Sequence, residues 1–157
     1  EGVPSVGIDP ATGLEMYVPR NVNEARIRGI ETTLFANLGQ TGRLTVNHTL
    51  LDARDLSNDR DLQNRPKHSL SGQFSWYITE KATAFLRGKH IGEQITSAGE
   101  IDSYSMFDLG GTYDLLDDLK IRAGVTNIAN TRTDNPDDGY SFVERARAVY
   151  VGFSADL

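Results

Sequence analysis

Five charged side chains stand in the middle of stretches whose residues alternate between apolar and polar types: Glu31, Arg87, Lys89, Asp108 and Arg122. A lone charge is costly to bury, so each of these groups requires water or an oppositely charged partner. The three cations could hold an anionic ligand through charge-assisted hydrogen bonds. They could equally pair with the two carboxylates. We expect pairing to be their main role and keep ligand contact as the alternative.

An acid-rich segment at residues 52–61 suggests a calcium site, because Ca²⁺ is bound by several oxygen ligands. The segment lacks the fixed spacing and the glycine of a calcium-binding loop. We therefore interpret it as a solvated loop, and we interpret Asp134, Asp137 and Asp138 in the same way.

The sequence carries no enzyme signature. It contains no G-x-S-x-G pattern, no phosphate-binding loop and no dinucleotide fingerprint. The absence of cysteine excludes a disulfide framework and cysteine-based metal sites. We expect no catalytic residue and no cofactor. The formal net charge of −6 argues against nucleic-acid binding through a basic surface.

The alternation of side-chain types predicts an all-β fold, because a period of two is the period of a strand. We expect an antiparallel up-and-down meander of about seven long strands. They lie at residues 14–38 with a bulge near Gly29, 43–53, 68–77, 82–95, 104–115, 119–128 and 149–157. Their connections are alternately short and long, with long loops at 54–67, 96–103 and 129–144.

This alternation of short turns and long loops is typical of an outer-membrane β-barrel. Such strands need apolar residues at only every second position, which agrees with a mean hydropathy of −0.41. One face of the strands is aliphatic and aromatic and suits lipid, with Trp76, Tyr113 and Phe153 where an aromatic girdle would lie. The other face carries the five charges and suits a hydrated or plugged lumen.

Three histidines, His48, His68 and His90, fall at nearly regular intervals and could suggest a metal site. All three have the lipid-side parity of their strands, so we interpret them as residues of the membrane interface and expect no metal site.

The strand count predicts an incomplete barrel. Single-chain bacterial barrels have an even number of strands, whereas we expect seven here. We therefore expect the C-terminal portion of a larger barrel, with residues 1–13 as an extracellular loop remnant and residues 14–157 as barrel wall.

Several motifs, in this order, resemble the late barrel strands of TonB-dependent outer-membrane receptors. They are Asn21-Val-Asn-Glu-Ala-Arg-Ile-Arg-Gly-Ile-Glu31, Leu50-Leu-Asp-Ala-Arg54, Asn64-Arg-Pro-Lys-His68, Phe107-Asp-Leu109, Ala123-Gly-Val-Thr-Asn-Ile-Ala-Asn130 and Tyr150-Val-Gly-Phe-Ser-Ala-Asp-Leu157. The resemblance covers nearly the whole chain from Asn21 onward.

This resemblance implies a barrel of about 22 strands closed by an N-terminal plug domain. It also implies import of a small metal chelate (a ferric siderophore, haem or cobalamin) with energy from the TonB complex, which contacts a box before the plug. Neither plug nor box is found here. Ligand selectivity would lie in the plug and in loops 54–67, 96–103 and 131–144. The lumenal cations could also contact the plug.

The resemblance further implies that the barrel-assembly machinery reads a terminal signal, here Tyr150, Gly152, Phe153 and Leu157. Relatives usually end on Phe with an aromatic residue two positions earlier, where this chain has Leu157 and Ala155. Recognition would therefore be weaker.

Two alternatives to a receptor remain. One is a passive outer-membrane pore or small structural barrel, and the other is a soluble β-sandwich that acts as a binding module. The sandwich requires the apolar faces to pack together and the charged positions to face water.

Overall fold

The computed structural model of the chain describes residues 5–8, 12, 14–17, 24–96, 99–133 and 144–155. Within these ranges, no helix is long and apolar enough to cross a membrane. The strands, in chain order, are β1 (Ser5–Ile8), β2 (Glu15–Tyr17), β3 (Ala25–Leu38), β4 (Gly42–Asp55), β5 (Arg60–Asp61), β6 (His68–Tyr77), β7 (Ala82–Ile91), β8 (Gln94–Thr96), β9 (Gly99–Ile101), β10 (Tyr104–Leu116), β11 (Leu119–Thr126) and β12 (Ala148–Ala155).

Seven long strands form one antiparallel sheet in the order β12-β11-β10-β7-β6-β4-β3, with β5 paired to β4. Each long strand therefore lies beside the next long strand along the chain, which confirms the predicted meander. Two short hairpins, β1–β2 and β8–β9, form sheets of their own.

The register separates the side chains into two faces, as the alternation predicts. On the apolar face, one row across the sheet is Leu44, Phe74, Leu86 and Leu109. The adjacent row on the polar face is Thr45, Gln73, Arg87 and Asp108. Residues opposite each other on neighbouring strands share a face, so the register shows which side chains of each strand lie on the apolar face and which lie on the polar face.

Within the described part of the chain, no protein layer covers the apolar face. Leu34 is 55% exposed and Val151 is 66% exposed, and most large apolar side chains of this face are similar. Among the described residues, the buried apolar side chains are Ala53, Ile101 and Met106, too few for a packed core. The β-sandwich alternative is therefore wrong, because it requires the apolar faces to pack against each other.

Several predicted element bounds are wrong. Residues 14–38 do not form one strand, since β2 pairs with β1 and β3 begins only at Ala25. Residues 1–13 are therefore not simply a loop. The strand predicted at 82–95 ends at Ile91, and the β8–β9 hairpin occupies much of the loop predicted at 96–103.

No bulge occurs near Gly29, which is a further correction. Strand β3 pairs with β4 in one continuous register from Ala25 opposite Asp55 to Leu38 opposite Gly42. The glycine instead allows close strand approach, because a Cβ there would lie 2.4 Å from the Leu50 carbonyl oxygen.

Candidate functional site

A pocket of about 620 Å³ opens on the polar face near the long loops. We call it the polar pocket. Its principal charged and amide residues are Arg87, Lys89, Asp108, Asn127, Glu144 and Arg145. Three of the five charged residues predicted from the sequence thus share one site. Adjacent strands position them, since Arg87 lies opposite Asp108 in the register of β7 and β10.

The Arg87 guanidinium has three neighbours on the polar face. Its Nε and Nη2 donate to Gln73 Oε1 at 3.3 and 3.1 Å. Its Nη1 lies 4.0 Å from Asp108 Oδ2, and its centre lies 5.4 Å from the Phe85 ring. The side chain nevertheless remains 55% exposed. The predicted pairing of Arg87 with Asp108 is present but long, so the guanidinium still presents donors to the lumenal side.

Lys89 pairs with a residue that the sequence analysis did not select. Its Nζ donates to Glu144 Oε1 at 2.5 Å, and the Tyr104 hydroxyl donates to the same oxygen at 3.0 Å. The hydrogen bond from Lys89 lowers the pKa of Glu144, partial burial opposes this, and Tyr104 lowers it further. Glu144 lies at the end of a long loop, where strand periodicity gives no signal.

Asn127 joins described residues on both sides of this segment at the polar pocket. Its backbone N–H donates to Asp108 Oδ1 at 2.9 Å. Its side-chain amide donates to the carbonyls of Thr131 and Arg145, and its Oδ1 accepts from the Thr131 N–H, each at 2.9 Å. In the sequence, Asn127 stands out only as part of the motif at residues 123–130. Its signal would have been an asparagine directly after the last strand residue, where a left-handed backbone is common.

Glu31 and Arg122 lie away from the polar pocket. Glu31 is on β3, at one edge of the sheet, and Arg122 is on β11, next to the other edge. Arg122 lies flat over Gly152, because a Cβ at that glycine would be 2.7 Å from Arg122 Nε.

The predicted assembly-signal residues divide between the faces. Phe153 is on the apolar face and is 66% exposed, whereas Tyr150 and Gly152 are on the polar face. Leu157 lies outside the described residues. The signal itself stays a prediction.

The three histidines share the apolar face, as predicted from parity. The rings of His48 and His68 are stacked with centroids 5.9 Å apart, and His90 Nδ1 lies 2.9 Å from Ser105 Oγ. Over the described part of the chain, no group of three or more His, Asp or Glu side chains is arranged to hold a metal ion.

The acid-rich segment is paired with cations. Asp52 contacts three arginines, and Asp61 contacts Lys67 at 2.8 Å. Asp134, Asp137 and Asp138 lie outside the described residues.

The polar pocket gathers three cationic side chains beside the carboxylates of Asp108 and Glu144. The cations are the half-exposed Arg87 guanidinium, the Lys89 ammonium group and the Arg145 guanidinium, and charge-assisted hydrogen bonds from such groups favour anionic oxygens. Among the described residues that line it, no serine or threonine hydroxyl is hydrogen-bonded to a basic side chain.

Comparison with known proteins gives a consistent result. The family model described as "TonB dependent receptor-like, beta-barrel" matches residues 2–128. The chain is 32% identical over 119 residues to the vitamin B12 transporter BtuB of Photobacterium profundum, covering 71% of this chain and 19% of that protein. It is 27% identical over 142 residues to an iron-regulated outer membrane virulence protein of Vibrio cholerae, covering 84% of this chain. It spans only 22% of that relative's length.

Among solved structures, a mutant of the ferric enterobactin receptor PfeA from Pseudomonas aeruginosa has the same fold. The TM-score is 0.80 with 22% sequence identity, over 98% of this chain and 25% of the receptor chain. The β-barrel of the family model accounts for a sheet with one exposed apolar face and one polar, charged face. The chain belongs to the TonB-dependent receptor β-barrel family of the bacterial outer membrane.

Proposed function

We propose that this chain forms part of the wall of an outer-membrane receptor that imports a scarce nutrient as an anionic metal chelate, of the ferric siderophore class. The observation that carries the proposal is the polar pocket, in which Arg87, Lys89 and Arg145 lie on the lumenal wall beside the base of a long loop. Ferric chelates present anionic oxygens to their surroundings, and such oxygens are preferred partners of guanidinium and ammonium groups.

The relatives support the same class of cargo. The structural neighbour is named as a ferric enterobactin receptor, and one relative is named as iron-regulated. Haem, another iron chelate with carboxylate groups, is compatible with the same cations. Import would be energised by the TonB complex acting through a plug domain in the lumen, and insertion would use the barrel-assembly machinery.

The test uses the complete receptor that contains these residues, in a bacterial strain without its own ferric siderophore receptors. Uptake of radiolabelled ferric enterobactin is measured for the unaltered receptor and for the double variant Arg87→Gln, Lys89→Gln. We expect uptake at low ligand concentration to fall about tenfold, because two charge-assisted contacts are lost.

The matched control is Arg43→Gln, which removes a cation from the same face near a short turn and outside the polar pocket. It should leave uptake unchanged. Equal uptake by the double variant and the unaltered receptor would contradict the proposal, provided both reach the outer membrane in equal amounts.

Cobalamin is a second candidate cargo, because one relative 32% identical to this chain is named as a vitamin B12 transporter. A cobalamin carries much less anionic charge than a ferric catecholate. Growth of a cobalamin-dependent strain on low vitamin B12 would then require the receptor but would be little changed by the two lumenal substitutions.

A passive pore differs from both candidates because it needs no energy source. Deletion of TonB should abolish uptake by a coupled receptor and should leave diffusion through an open pore unchanged.

A further inference from the structure

A cluster of cations lies on the apolar face, at the end of the sheet that carries the long loops. Arg28 is opposite Asp52 in the register of β3 and β4, and Arg26 is opposite Arg54 one row further out. Asp52 accepts contacts from Arg28 at 2.8 Å, Arg54 at 3.4 Å and Arg26 at 3.5 Å. One carboxylate is therefore shared by three guanidinium groups. We call these four residues the arginine cluster.

The charges of this cluster do not balance internally. Like charges directly opposite each other on two strands repel, as Arg26 and Arg54 do here. Arg54 also contacts Asp59 and Asp61, and Lys67 joins through Asp61 at 2.8 Å. Four cations thus face three carboxylates. The side chain of Arg28 is 67% exposed and that of Lys67 is 63% exposed. The unbalanced positive charge therefore lies at the surface.

An apolar groove of about 470 Å³ lies below this cluster on the same face. Gly72 and Gly88 are opposite each other in the register of β6 and β7 and form its floor, since neither has a side chain. Phe74, Leu86 and Phe107 line its sides.

The groove and the cluster are connected along β6. The apolar-face residues of this strand run from Gly72 through Leu70 to His68, and Lys67 precedes the strand. His68 stacks on His48 at this level. The surface therefore changes from apolar, through imidazole, to cationic over the outer part of the sheet.

We propose that this surface binds one phosphorylated lipid of the outer leaflet, with an acyl chain in the groove and its phosphate on Arg28 and Lys67. The groove matches a hydrocarbon chain, and the excess positive charge at its outer end matches an anionic headgroup. Basic residues just outside the hydrocarbon region attract anionic lipids in this way. The proposal is independent of the cargo of the receptor.

The test measures lipid retention by the receptor purified from outer membranes in detergent, by native mass spectrometry. The probes are diphosphorylated lipid A and its dephosphorylated form. The unaltered protein should retain the diphosphorylated form preferentially. Arg28→Gln should lower that retention about fivefold, because one cation is lost from the phosphate contact. Lys120→Gln, which removes a cation paired with Asp114 on the polar face, is the matched control and should retain lipid normally.

The groove is tested separately by Gly88→Val, which fills its floor and should lower retention of both lipid forms. Equal retention by Arg28→Gln and Lys120→Gln would overturn the proposal, as would displacement of the lipid by inorganic phosphate alone. If Arg28→Gln does not fold, the proposal is tested by the salt dependence of lipid retention in the unaltered protein. Ionic strength must weaken retention of the diphosphorylated lipid and spare the dephosphorylated one, and equal loss of both overturns the proposal.

Discussion

The residue type at position 127 is required for two independent reasons. Asn127 is 1% exposed and has a φ of 50°, a left-handed conformation that Asn tolerates better than most residues. Its side chain also joins Thr131 to Arg145 and so closes the base of the last long loop. A buried amide with all its partners satisfied fixes one conformation of the chain around it.

We expect Asn127→Ala to lower the free energy of unfolding by about 3 kcal/mol, because buried backbone groups lose their partners. Asn127→Gly removes the same side-chain hydrogen bonds but adopts the positive φ without strain. We therefore expect the glycine variant to be destabilised nearly as much as the alanine variant. Denaturant unfolding of the receptor in detergent measures both. Full stability of the glycine variant would show that backbone strain, and not hydrogen bonding, determines the residue.

The contact of Glu144 with Lys89 and Tyr104 should depend on pH. Its pKa is lowered in the folded protein, so the carboxylate stabilises the fold above the ordinary glutamate pKa of 4.5. This contribution is lost as the pH falls through the lowered folded value. Since the pair is partly exposed, we expect Glu144→Gln to cost only about 0.5 kcal/mol at neutral pH.

The measurement is thermal unfolding of the unaltered receptor and the Glu144→Gln variant between neutral pH and pH values well below the ordinary carboxyl pKa. Their difference should shrink at the acid end, where both side chains are uncharged. A difference independent of pH would show that the charge on Glu144 does not contribute.

At the residue scale, the sequence predicted which charges would share the polar face and predicted Asp108 as a partner of the cations, but it missed Glu144, the partner of Lys89. Strand parity places Arg87 and Asp108 on one face because successive side chains alternate. It carries no information about where Glu144 lies, because Glu144 is outside the strands and its position depends on tertiary contacts, such as that of Asn127 with the neighbouring Arg145.

At the element scale, the inner wall near the C-terminal strand depends on glycines covered by aromatic rings. Gly110 on β10 and Gly124 on β11 are opposite each other, and the Tyr150 hydroxyl of β12 lies over both. Phe85 of β7 covers Gly110 from the other side. The aromatic rings fill the space that two missing side chains leave, which fixes the lateral packing of four strands.

We expect Gly124→Ala to destabilise the receptor by about 2 kcal/mol, because overpacking forces shifts of neighbouring atoms. The new Cβ would lie 2.6 Å from both the Leu109 carbonyl oxygen and the Tyr150 hydroxyl oxygen. Tyr150→Ala in the same protein should restore only part of the loss, since the backbone contact remains. Denaturant unfolding measures both, and full recovery in the double variant would contradict the backbone explanation.

The existence of the seven strands was predictable, but their ends were less so. Alternation is enforced only where one face meets lipid and the other meets the lumen. Near the outer end of β3, beyond the alternating part of the strand, Ile27 shares the polar face with Glu31. This apolar residue on the polar face shifted the apparent parity of the sequence, which led to the wrong prediction of a bulge at Gly29. The small β1–β2 and β8–β9 hairpins have too few residues to show a period.

At the scale of the whole molecule, the two faces of the sheet are suited to different solvents. In a soluble protein, exposed apolar side chains such as Leu86 (45%) and Phe107 (47%) would form a patch prone to association. In a barrel wall they contact acyl chains at no cost. The sequence predicted this architecture correctly because the period of two extends over all seven strands.

The same added charge should therefore destabilise the apolar face much more than the polar face. Leu86 lies mid-strand on the apolar face, and Ser75 lies on the polar face of the neighbouring strand β6. In receptors refolded into lipid bilayers, we expect Leu86→Arg to cost about 2–4 kcal/mol, since an arginine near the bilayer midplane loses its hydration. We expect Ser75→Arg to cost about 0.5 kcal/mol, because the lumen is hydrated. Equal costs, measured by denaturant titration of folding, would mean that the apolar face does not contact hydrocarbon.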